Sequence, residues 1–490
     1  MKKFITIIII AFIFGSAIYL LTRLNPKTGV KFELKAQTTS STEEEWSGIF
    51  INNKKVGYSF SRITRTDTGL TVENITRMTL FMMTQPRTLT THTFVHTDAE
   101  YTLKDFSLTL QNQGEQRLEG RIEGNKLYLT SFIQGKKYTQ TRELTEKPYF
   151  PDAIPRLIQK KGLKPGDEIT LPYFDPTTQS STQARLKVVG KEKVDVLGKE
   201  MTGMRIEINI MGLNSTLWID DNYQMIKQST PAMRMETVRL SKAEALAEIK
   251  PTDAFDLLSF FSVKLEEPIP DPKKLDYLKL SLENIDTTGL DLVDDYQVLV
   301  TDAPITLEFH LPDISELQYL SIPINEKKEF LKPTVFIQCK DEKIINTAQK
   351  IVGKENDAKK AVAKLVDGVY KMLKKDPTAS LPSALDVLAT KKGDCNEHSI
   401  LFTALARAVG IPTKIYVGLI NLNGYAYYYH AWCAVWLGKW IPVDPTFDQF
   451  PADVGHLKLK EGGISEQARV LKVVGKLKID ILDFHATDSQ

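Results

Sequence analysis

The sequence predicts a multidomain α+β protein with an N-terminal membrane helix, an antiparallel β-rich N-terminal region and a C-terminal α+β domain. Three observations support this fold class. The chain has 490 residues, which is more than one hydrophobic core usually organises. It opens with a long uncharged segment, and strand-like runs then follow one another through its first half. The last third instead shows helical apolar stripes followed by strand patterns.

The charge of the chain is nearly balanced. It has 63 basic and 61 acidic side chains, a net charge of +2, and no blocks of one sign. Nucleic-acid partners normally require a basic patch or stripe, so we expect no nucleic-acid partner. The apolar share of 42% is that of ordinary globular protein.

Segment 1–23 is predicted to be a membrane anchor or a signal segment. The 19 residues from Phe4 to Thr22 carry no charge, and as a helix they span roughly 28 Å, close to the ~30 Å hydrocarbon thickness of a bilayer. A cleaved signal peptide is the alternative, with 15–17 as the cleavage site. The apolar run continues through 18–21, which favours the uncleaved anchor. In both cases the bulk of the chain is exported, and we expect an extracytoplasmic location in the periplasm or on the outer surface.

The region between the anchor and the last third is predicted to be mostly β-structure. Residues 24–45 are polar and indicate a linker. Residues 46–240 hold short β-rich runs, with period-two alternation in Arg185–Val189 and Arg205–Ile210, which predicts an antiparallel β-rich domain. Residues 241–335 begin with a helical connector. They continue as a second β region or as a strand extension of the next domain.

Residues 336–490 are predicted to form the C-terminal α+β domain. Apolar side chains recur at helical spacing in four segments, and strand patterns follow them. The predicted helices are Asp341–Val352, Ala358–Lys374, Ser383–Thr390 and Cys395–Val409. The predicted strands are Thr413–Ile420, His430–Leu437, Trp440–Val443 and Leu471–Ile481.

Cys395 is the candidate nucleophile. The chain has three cysteines, so at least one thiol stays free in an exported protein. Cys395 follows Gly393 and Asp394 at the start of a predicted helix, where unpaired N–H groups and the helix dipole favour thiolate. A small buried cysteine is the alternative, because this is the commonest environment of the residue type.

His430 and Asp444 lie on either side of a predicted hairpin, so the strand register decides whether they meet. A two-residue turn pairs Cys433 with Asp444 and places His430 on the opposite face. A three-residue turn or a bulge pairs Trp432 with Asp444, and His430 then shares the face of Asp444. The catalytic interpretation requires the second register, in which Cys433 points away from His430. Taken singly, His430 is as easily a core histidine and Asp444 a turn carboxylate.

A zinc site is a competing interpretation. Cys395 with His398, and His430 with Cys433, imitate the spacing of zinc ligands. Positions 395 and 398 share a helical face, but positions 430 and 433 lie on opposite faces of a strand. The four side chains cannot converge without distortion, so we expect no metal site.

Three motifs resemble those of the transglutaminase-like superfamily. They are G-D-C-N-E-H, H-A-W and W-I-P-V-D-P-T, in this order, and the similarity covers roughly residues 336–460. The resemblance implies a papain-like α+β core in which Cys395 is the nucleophile, His430 the general base and acid, and Asp444 the residue that orients the imidazole. The family attacks an amide carbonyl, releases an amine and resolves the thioester with water or a second amine.

The chain departs from the animal members of this family in two respects. Segment 357–361 contains no tryptophan, the residue that supports the oxyanion in those members upstream of the cysteine. Their calcium sites have no evident match, and we expect neither a cofactor nor a metal.

The sequence therefore predicts an exported, membrane-tethered cysteine enzyme that attacks peptide or glutamine amides, with hydrolysis favoured over amine transfer. Its partners would be protein or peptide substrates in the cell envelope, and the membrane through the N-terminal helix. The alternative is a non-catalytic binding or scaffold module that retains the fold.

Overall fold

The computed structural model describes residues 41–82, 85–111, 115–133, 136–176, 180–210, 212–249, 262–376, 383–462, 470 and 476–486. The predicted membrane segment 1–23 lies outside these residues, as does most of the predicted linker 24–45. In the part of the chain that is described, no helix combines the length and the apolar character needed to cross a bilayer.

The described residues form two compact units. The first holds residues 41–132 and 136–249, and the second holds those of 262–486 together with Ile133. The domain bounds derived from the sequence, at 46–240, 241–335 and 336–490, stay predictions.

The first unit is built on a 14-stranded antiparallel sheet. Its strands are β1 (Ser41–Ile51), β2 (Lys54–Thr66), β3 (Gly69–Met82), β4 (Gln85–Thr97), β5 (Leu103–Gln111), β6 (Glu115–Glu123), β7 (Lys126–Ile133), β8 (Lys136–Glu143), β9 (Glu168–Asp175), β10 (Ser180–Val196), β11 (Lys199–Ile210), β12 (Leu213–Ile219), β13 (Met225–Thr230) and β14 (Met235–Arg239). The order is β8-β7-β6-β5-β4-β3-β2-β1-β14-β13-β12-β11-β10-β9. Two meanders thus meet where β1 pairs with β14, and the prediction of a β-rich N-terminal region is confirmed.

A core of the first unit lies between the sheet and the helix α1 (Ile154–Lys161); a second short helix, α2 (Lys242–Leu246), follows β14. Alternate positions of β10 and β11 are buried, as the period-two pattern predicts. The cluster contains Ile154, Leu157 and Ile158 of α1, Leu186 and Val188 of β10, and Ile206 and Ile208 of β11. Gly162 ends α1 in the left-handed region with a φ of 61°.

The second unit contains the four predicted helices, each within two residues of its predicted ends. They are α3 (Glu342–Val352), α4 (Ala358–Met372), α5 (Ala384–Thr390) and α6 (Cys395–Ala408). An Asp or Ser side chain accepts a hydrogen bond from the first turn of each helix and fixes its start. These capping residues are Asp341, Asp357, Ser383 and Asp394.

The strands of the second unit form two larger antiparallel sheets and one short parallel pair. They are β15 (Val263–Lys264), β16 (Leu275–Glu283), β17 (Gln297–Asp302), β18 (Ile305–His310), β19 (Lys374–Lys375), β20 (Lys392–Gly393), β21 (Thr413–Asn421), β22 (Ala426–Trp436), β23 (Trp440–Val443), β24 (His456–Glu461) and β25 (Lys478–Ala486). One sheet has the order β15-β22-β21-β24, with β23 also paired to β22, and another has the order β17-β18-β16-β25. Two strands of segment 262–310 pair with strands that follow much later in the chain, β15 with β22 and β16 with β25. Of the last predicted strand, 471–475 lies outside the described residues.

One edge of β22 is only partly paired. On the side away from β21, β15 pairs with Ala426 and Tyr427, and β23 pairs with residues 433–436. Between these two partners, no strand of the described chain pairs with residues 428–432. This stretch contains His430.

On the other side of β22, Gly418 of β21 lies opposite His430. A Cβ atom on Gly418 would come within 2.0 Å of the carbonyl oxygen of Leu457 on β24. Glycine therefore permits the close approach of β24, whose first residue is His456.

Candidate active site

His430 and Asp444 are hydrogen-bonded to each other. Cys433 pairs with Val443, so a three-residue turn at 437–439 joins β22 to β23. This is the register that the catalytic interpretation requires, and it brings Asp444 to the face of His430. Nε2 of His430 lies 2.8 Å from Oδ2 of Asp444, and both side chains are fully buried.

The turn after β23 fixes the carboxylate of Asp444. The N–H of Thr446 donates to Oδ1 over 2.7 Å. The backbones of Asp444 and Gln449 exchange two hydrogen bonds of 2.9 and 3.0 Å. The carboxylate is therefore held by backbone groups as well as by the imidazole.

Aromatic rings restrain the imidazole of His430. Trp432 stacks on it with an interplanar angle of 13° and a centroid distance of 5.9 Å. Phe447, from the turn after β23, lies at 5.4 Å. These contacts limit rotation of the ring, so Nδ1 and Nε2 keep distinct surroundings.

Nδ1 of His430 is buried and has no hydrogen-bond partner among the described residues. Burial lowers the pKa of His430, while the carboxylate of Asp444 acts in the opposite direction. Burial also disfavours the charge of Asp444, but His430 and His456 outweigh this effect and hold the pKa of that carboxyl well below its usual value. An ionised Asp444 accepts a hydrogen bond from the N–H at Nε2 of His430, so the neutral ring presents a lone pair at Nδ1.

Cys395 is the first residue of α6 and is fully buried. The side chain of Asp394 accepts from the N–H of Asn396 over 3.2 Å and from that of Glu397. The N–H of Asp394 donates to the carboxylate of Glu397 over 3.0 Å, and the N–H of His398 donates to the carbonyl of Asp394 over 2.9 Å. The expectation that these N–H groups are unpaired is therefore wrong, because a capping box occupies them.

The surroundings of the capping residue Asp394 disfavour a negative charge beside the sulfur of Cys395. Burial and the neighbouring Glu397 raise the pKa of Asp394 well above its usual value. An environment that disfavours this negative charge weakens its opposition to a thiolate at Cys395. The helix dipole of α6 favours thiolate at Cys395, the first residue of the helix.

α6 packs against β21 and β22, on the face of the sheet that carries the side chain of Cys433. Ser399, one turn after Cys395, donates its hydroxyl to the carbonyl of Ala431 over 3.1 Å. The thiol of Cys433 donates to the carbonyl of Ser399 over 3.4 Å. Burial raises the pKa of Tyr429, and the charge of Cys395 adds to the shift. The start of α6 thus lies near the part of β22 that carries His430.

His456 is a buried residue of this cluster that sequence reasoning missed. Its Nε2 lies 3.1 Å from Oδ2 of Asp444. Its Nδ1 lies 3.0 Å from the carbonyl oxygen and 3.1 Å from Oδ1 of Asp453. Burial opposes protonation, but Asp453 and Asp444 outweigh it and raise the pKa of His456 to about 10. His456 is therefore a cation at neutral pH.

Ligand atoms of His430, Asp444 and His456 lie within 4.8 Å of one another. Such proximity is compatible with a metal ion, but hydrogen bonds account for it here. Both imidazoles meet the same carboxylate oxygen at N–H···O distances, and the second nitrogen of His456 is bonded to Asp453. We assign no metal to this cluster.

The competing zinc set is not assembled in the described chain. The thiol of Cys433 is turned to α6, where it contacts Ser399 and Thr403. His430 points to the other face of β22. Nδ1 of His398 lies 2.6 Å from the carbonyl of Asp394, and burial lowers the pKa of His398 to about 4.

A model of the transglutaminase-like superfamily matches residues 345–445. Residues 345–445 form a transglutaminase-like domain. This domain contains Cys395, His430 and Asp444, and it spans about a fifth of the chain. Comparison with curated proteins finds no match.

Two solved structures have low similarity to this chain. A protein from Cytophaga hutchinsonii, provisionally described as a cysteine protease, shares 17% identity over 47% of this chain and 89% of its own, with a TM-score of 0.28. A protein from Parabacteroides distasonis, provisionally described as a protease, shares 12% identity over 72% of this chain and 67% of its own, with a TM-score of 0.21.

Proposed function

We propose that the transglutaminase-like domain is the catalytic part of an exported, membrane-tethered cysteine enzyme that attacks peptide or glutamine amides. Cys395 is the nucleophile, His430 its general base and acid, and Asp444 the carboxylate that orients the imidazole. The hydrogen bond between His430 and Asp444 carries the proposal. It commits Nε2 to the carboxylate and leaves the buried Nδ1 for the thiol at the start of α6.

The open edge of β22 supports the approach of the thiol. His430 lies within the stretch 428–432, which has no strand partner on that side in the described chain. Ser399 ties α6 to Ala431 at the same place. Cys395, one turn earlier, reaches the imidazole around this edge in the proposed active arrangement, which resembles a papain-like core.

The proposed reaction has two steps. In the first, the thiol proton of Cys395 moves to Nδ1 of His430 as sulfur attacks the amide carbon. The C–N bond breaks, and the imidazolium gives that proton to the departing amine. In the second, water transfers a proton to Nδ1 as its oxygen attacks the thioester, and sulfur leaves with that proton. An amide and water thus become an acid and an amine.

Asp444 serves both steps in the same way. It keeps the proton of the neutral ring on Nε2, so that Nδ1 is the basic atom. When the ring becomes an imidazolium, the carboxylate at 2.8 Å stabilises the positive charge. Hydrolysis is favoured over amine transfer, because nothing in the sequence indicates a pocket for a second-substrate amine.

The proposed location rests on the uncharged segment within 1–23. An uncleaved anchor holds the enzyme at the membrane with its substrates, which are proteins or peptides of the cell envelope. Fractionation of cells that produce the full chain tests this part. The protein should sediment with membranes and should be digested by protease added outside the cytoplasmic membrane.

A non-catalytic binding module is the second candidate, and one observation favours it. Cys395, His430 and Asp444 each have 0% exposure, so a substrate must displace neighbouring groups to reach the sulfur. A small neutral electrophile is therefore the appropriate first probe.

The test uses the full chain with a matched pair of variants, Cys395→Ser and Cys433→Ser. Glutamine-containing peptides are incubated with each protein, with and without a primary amine, and the products are identified by mass spectrometry. The enzyme proposal expects amide hydrolysis by wild type and by Cys433→Ser, and a loss of about 10⁴-fold or more in Cys395→Ser. Iodoacetamide should label Cys395 before Cys433. Absent turnover together with an unreactive Cys395 would favour the binding module.

A further inference from the structure

We propose that His456 is a positioning residue for the reaction, because it holds the carboxylate of Asp444 against His430. It does so within a buried hydrogen-bonded chain that runs from Asp453 through His456 and Asp444 to His430. The inference rests on the proposed catalytic role of His430 and Cys395, and it adds a residue that the three sequence motifs do not contain.

The hydrogen bonds from Asp453 to His430 are continuous. Oδ1 of Asp453 lies 3.1 Å from Nδ1 of His456, whose Nε2 lies 3.1 Å from Oδ2 of Asp444. The same Oδ2 lies 2.8 Å from Nε2 of His430. His456, Asp444 and His430 have 0% exposure and Asp453 has 7%. Oδ2 of Asp444 is thus fixed between two imidazoles, and a shift of one ring moves the carboxylate that orients the other.

The fold supports His456 from several sides. It begins β24 and pairs with Ile420 of β21. Trp432 meets its ring edge-on at 5.2 Å. Asp453 is held by the side-chain amide of Gln449 over 2.6 Å and by the N–H of Gly455 over 2.9 Å. The ring therefore has a fixed carboxylate acceptor on each side, as a positioning role requires.

The charge on His456 also affects the protonation of His430. The cation at His456 opposes protonation of His430, whereas Asp444 and the more distant Asp453 favour it. Other charged or titratable groups lie near the cluster. They are Cys395 and His398 of α6, Tyr427 and Cys433 of β22, Lys375 of β19, which lies 5.0 Å from the ring of Phe447, and Asp448 of the turn after β23. Removing the cation raises the proton affinity of His430.

The test compares His456→Gln, which retains an N–H donor for Asp444, with His456→Leu, which has none. His398→Gln is the matched control, because His398 is another buried histidine but contacts Asp394 instead of Asp444. If either single variant fails to fold, the double variant D453N/H456Q replaces it, since it removes both buried charges and keeps the hydrogen-bonding groups. Readouts are kcat and KM for amide hydrolysis, and the pH dependence of Cys395 alkylation by iodoacetamide.

In His456→Gln we expect the pKa of His430, observed in the pH profile of Cys395 alkylation, to rise by roughly one unit. This variant should retain part of the wild-type kcat. The double variant should shift in the same direction but less, because loss of the Asp453 charge acts oppositely. In His456→Leu we expect kcat to fall about 100-fold at unchanged KM. A His456→Leu protein with wild-type kcat and an unchanged pH profile of Cys395 alkylation would overturn the inference, whatever its Tm. An equal shift in His398→Gln would also overturn it. Full turnover in Cys395→Ser would instead remove the proposed function itself.

Discussion

Ser399 donates its hydroxyl to the carbonyl oxygen of Ala431 over 3.1 Å. This bond joins the second turn of the helix that begins at Cys395 to the residue that follows His430. Ala431 belongs to the stretch of β22 that has no second strand partner in the described chain. The bond helps to set the distance between the proposed nucleophile and its base.

Replacing Ser399 with Ala should destabilise the second unit and lower activity. The buried carbonyl of Ala431 loses its donor, which costs about 1–3 kcal/mol. Thr403→Val is the control, because the hydroxyl of Thr403 contacts the weakly hydrogen-bonding thiol of Cys433 at 3.5 Å. Urea unfolding and turnover are the measurements. A larger loss of stability in Thr403→Val than in Ser399→Ala would contradict the assigned role of the Ser399 bond.

Asp444→Asn should reduce kcat by about 10⁴-fold, because an amide no longer fixes the proton of His430 on Nε2. The variant should also be less stable, since His456 loses one of its two buried carboxylates. Asp448→Asn is the matched change four residues later, at an exposed position. It should leave kcat within about twofold of wild type. Equal kcat values for the two variants would show that Asp444 does not orient the imidazole.

The stability of the protein should decline on the alkaline side because of His456. Its pKa is about 10 in the folded chain and about 6.5 in an unfolded chain. The folded state binds the proton more tightly, so the contribution is complete below pH ~6.5 and is lost as the pH rises through ~10. The Tm difference between wild type and His456→Gln should shrink over this range. A difference that stays constant with pH would mean that His456 is not charged in the folded protein.

His398 should make the protein less stable on the acidic side, the opposite of the effect of His456. Burial lowers its pKa to about 4, below the ordinary ~6.5. The folded state then binds the proton less well, so stability falls as the pH drops from ~6.5 towards 4. Glutamine does not titrate, so the His398→Gln variant lacks this decrease in stability. The Tm of the variant should fall less steeply than that of wild type between these pH values. Parallel Tm profiles would count against a neutral buried His398.

Local patterns in the sequence predict the elements that carry the site. Apolar spacing locates α6 to within one residue, and the parity of β22 and β23 limits His430 and Asp444 to one productive register. The structure contains that register because a three-residue turn joins the strands. Parity alone leaves the choice of turn open, since Gly438 is compatible with either length.

Two features of the site depend on tertiary structure or on an overlooked local signal. The role of His456 depends on β24 lying beside β21, which no local pattern of charges reveals. The occupied N–H groups of α6 were predictable, because Asp394 and Glu397 have the spacing of a capping box. The raised pKa of Asp394 follows from burial and is visible only once the fold is known.

The most direct test of the central claim is the pH dependence of Cys395 alkylation in wild type and in His430→Gln. Cys433 is an internal control, because burial raises its pKa to about 12. If Cys395 and His430 form a working pair, the wild-type thiol should titrate below the ordinary ~8.5, and the variant should return towards that value with slower labelling. Identical profiles in the two proteins would contradict the proposed catalytic pair.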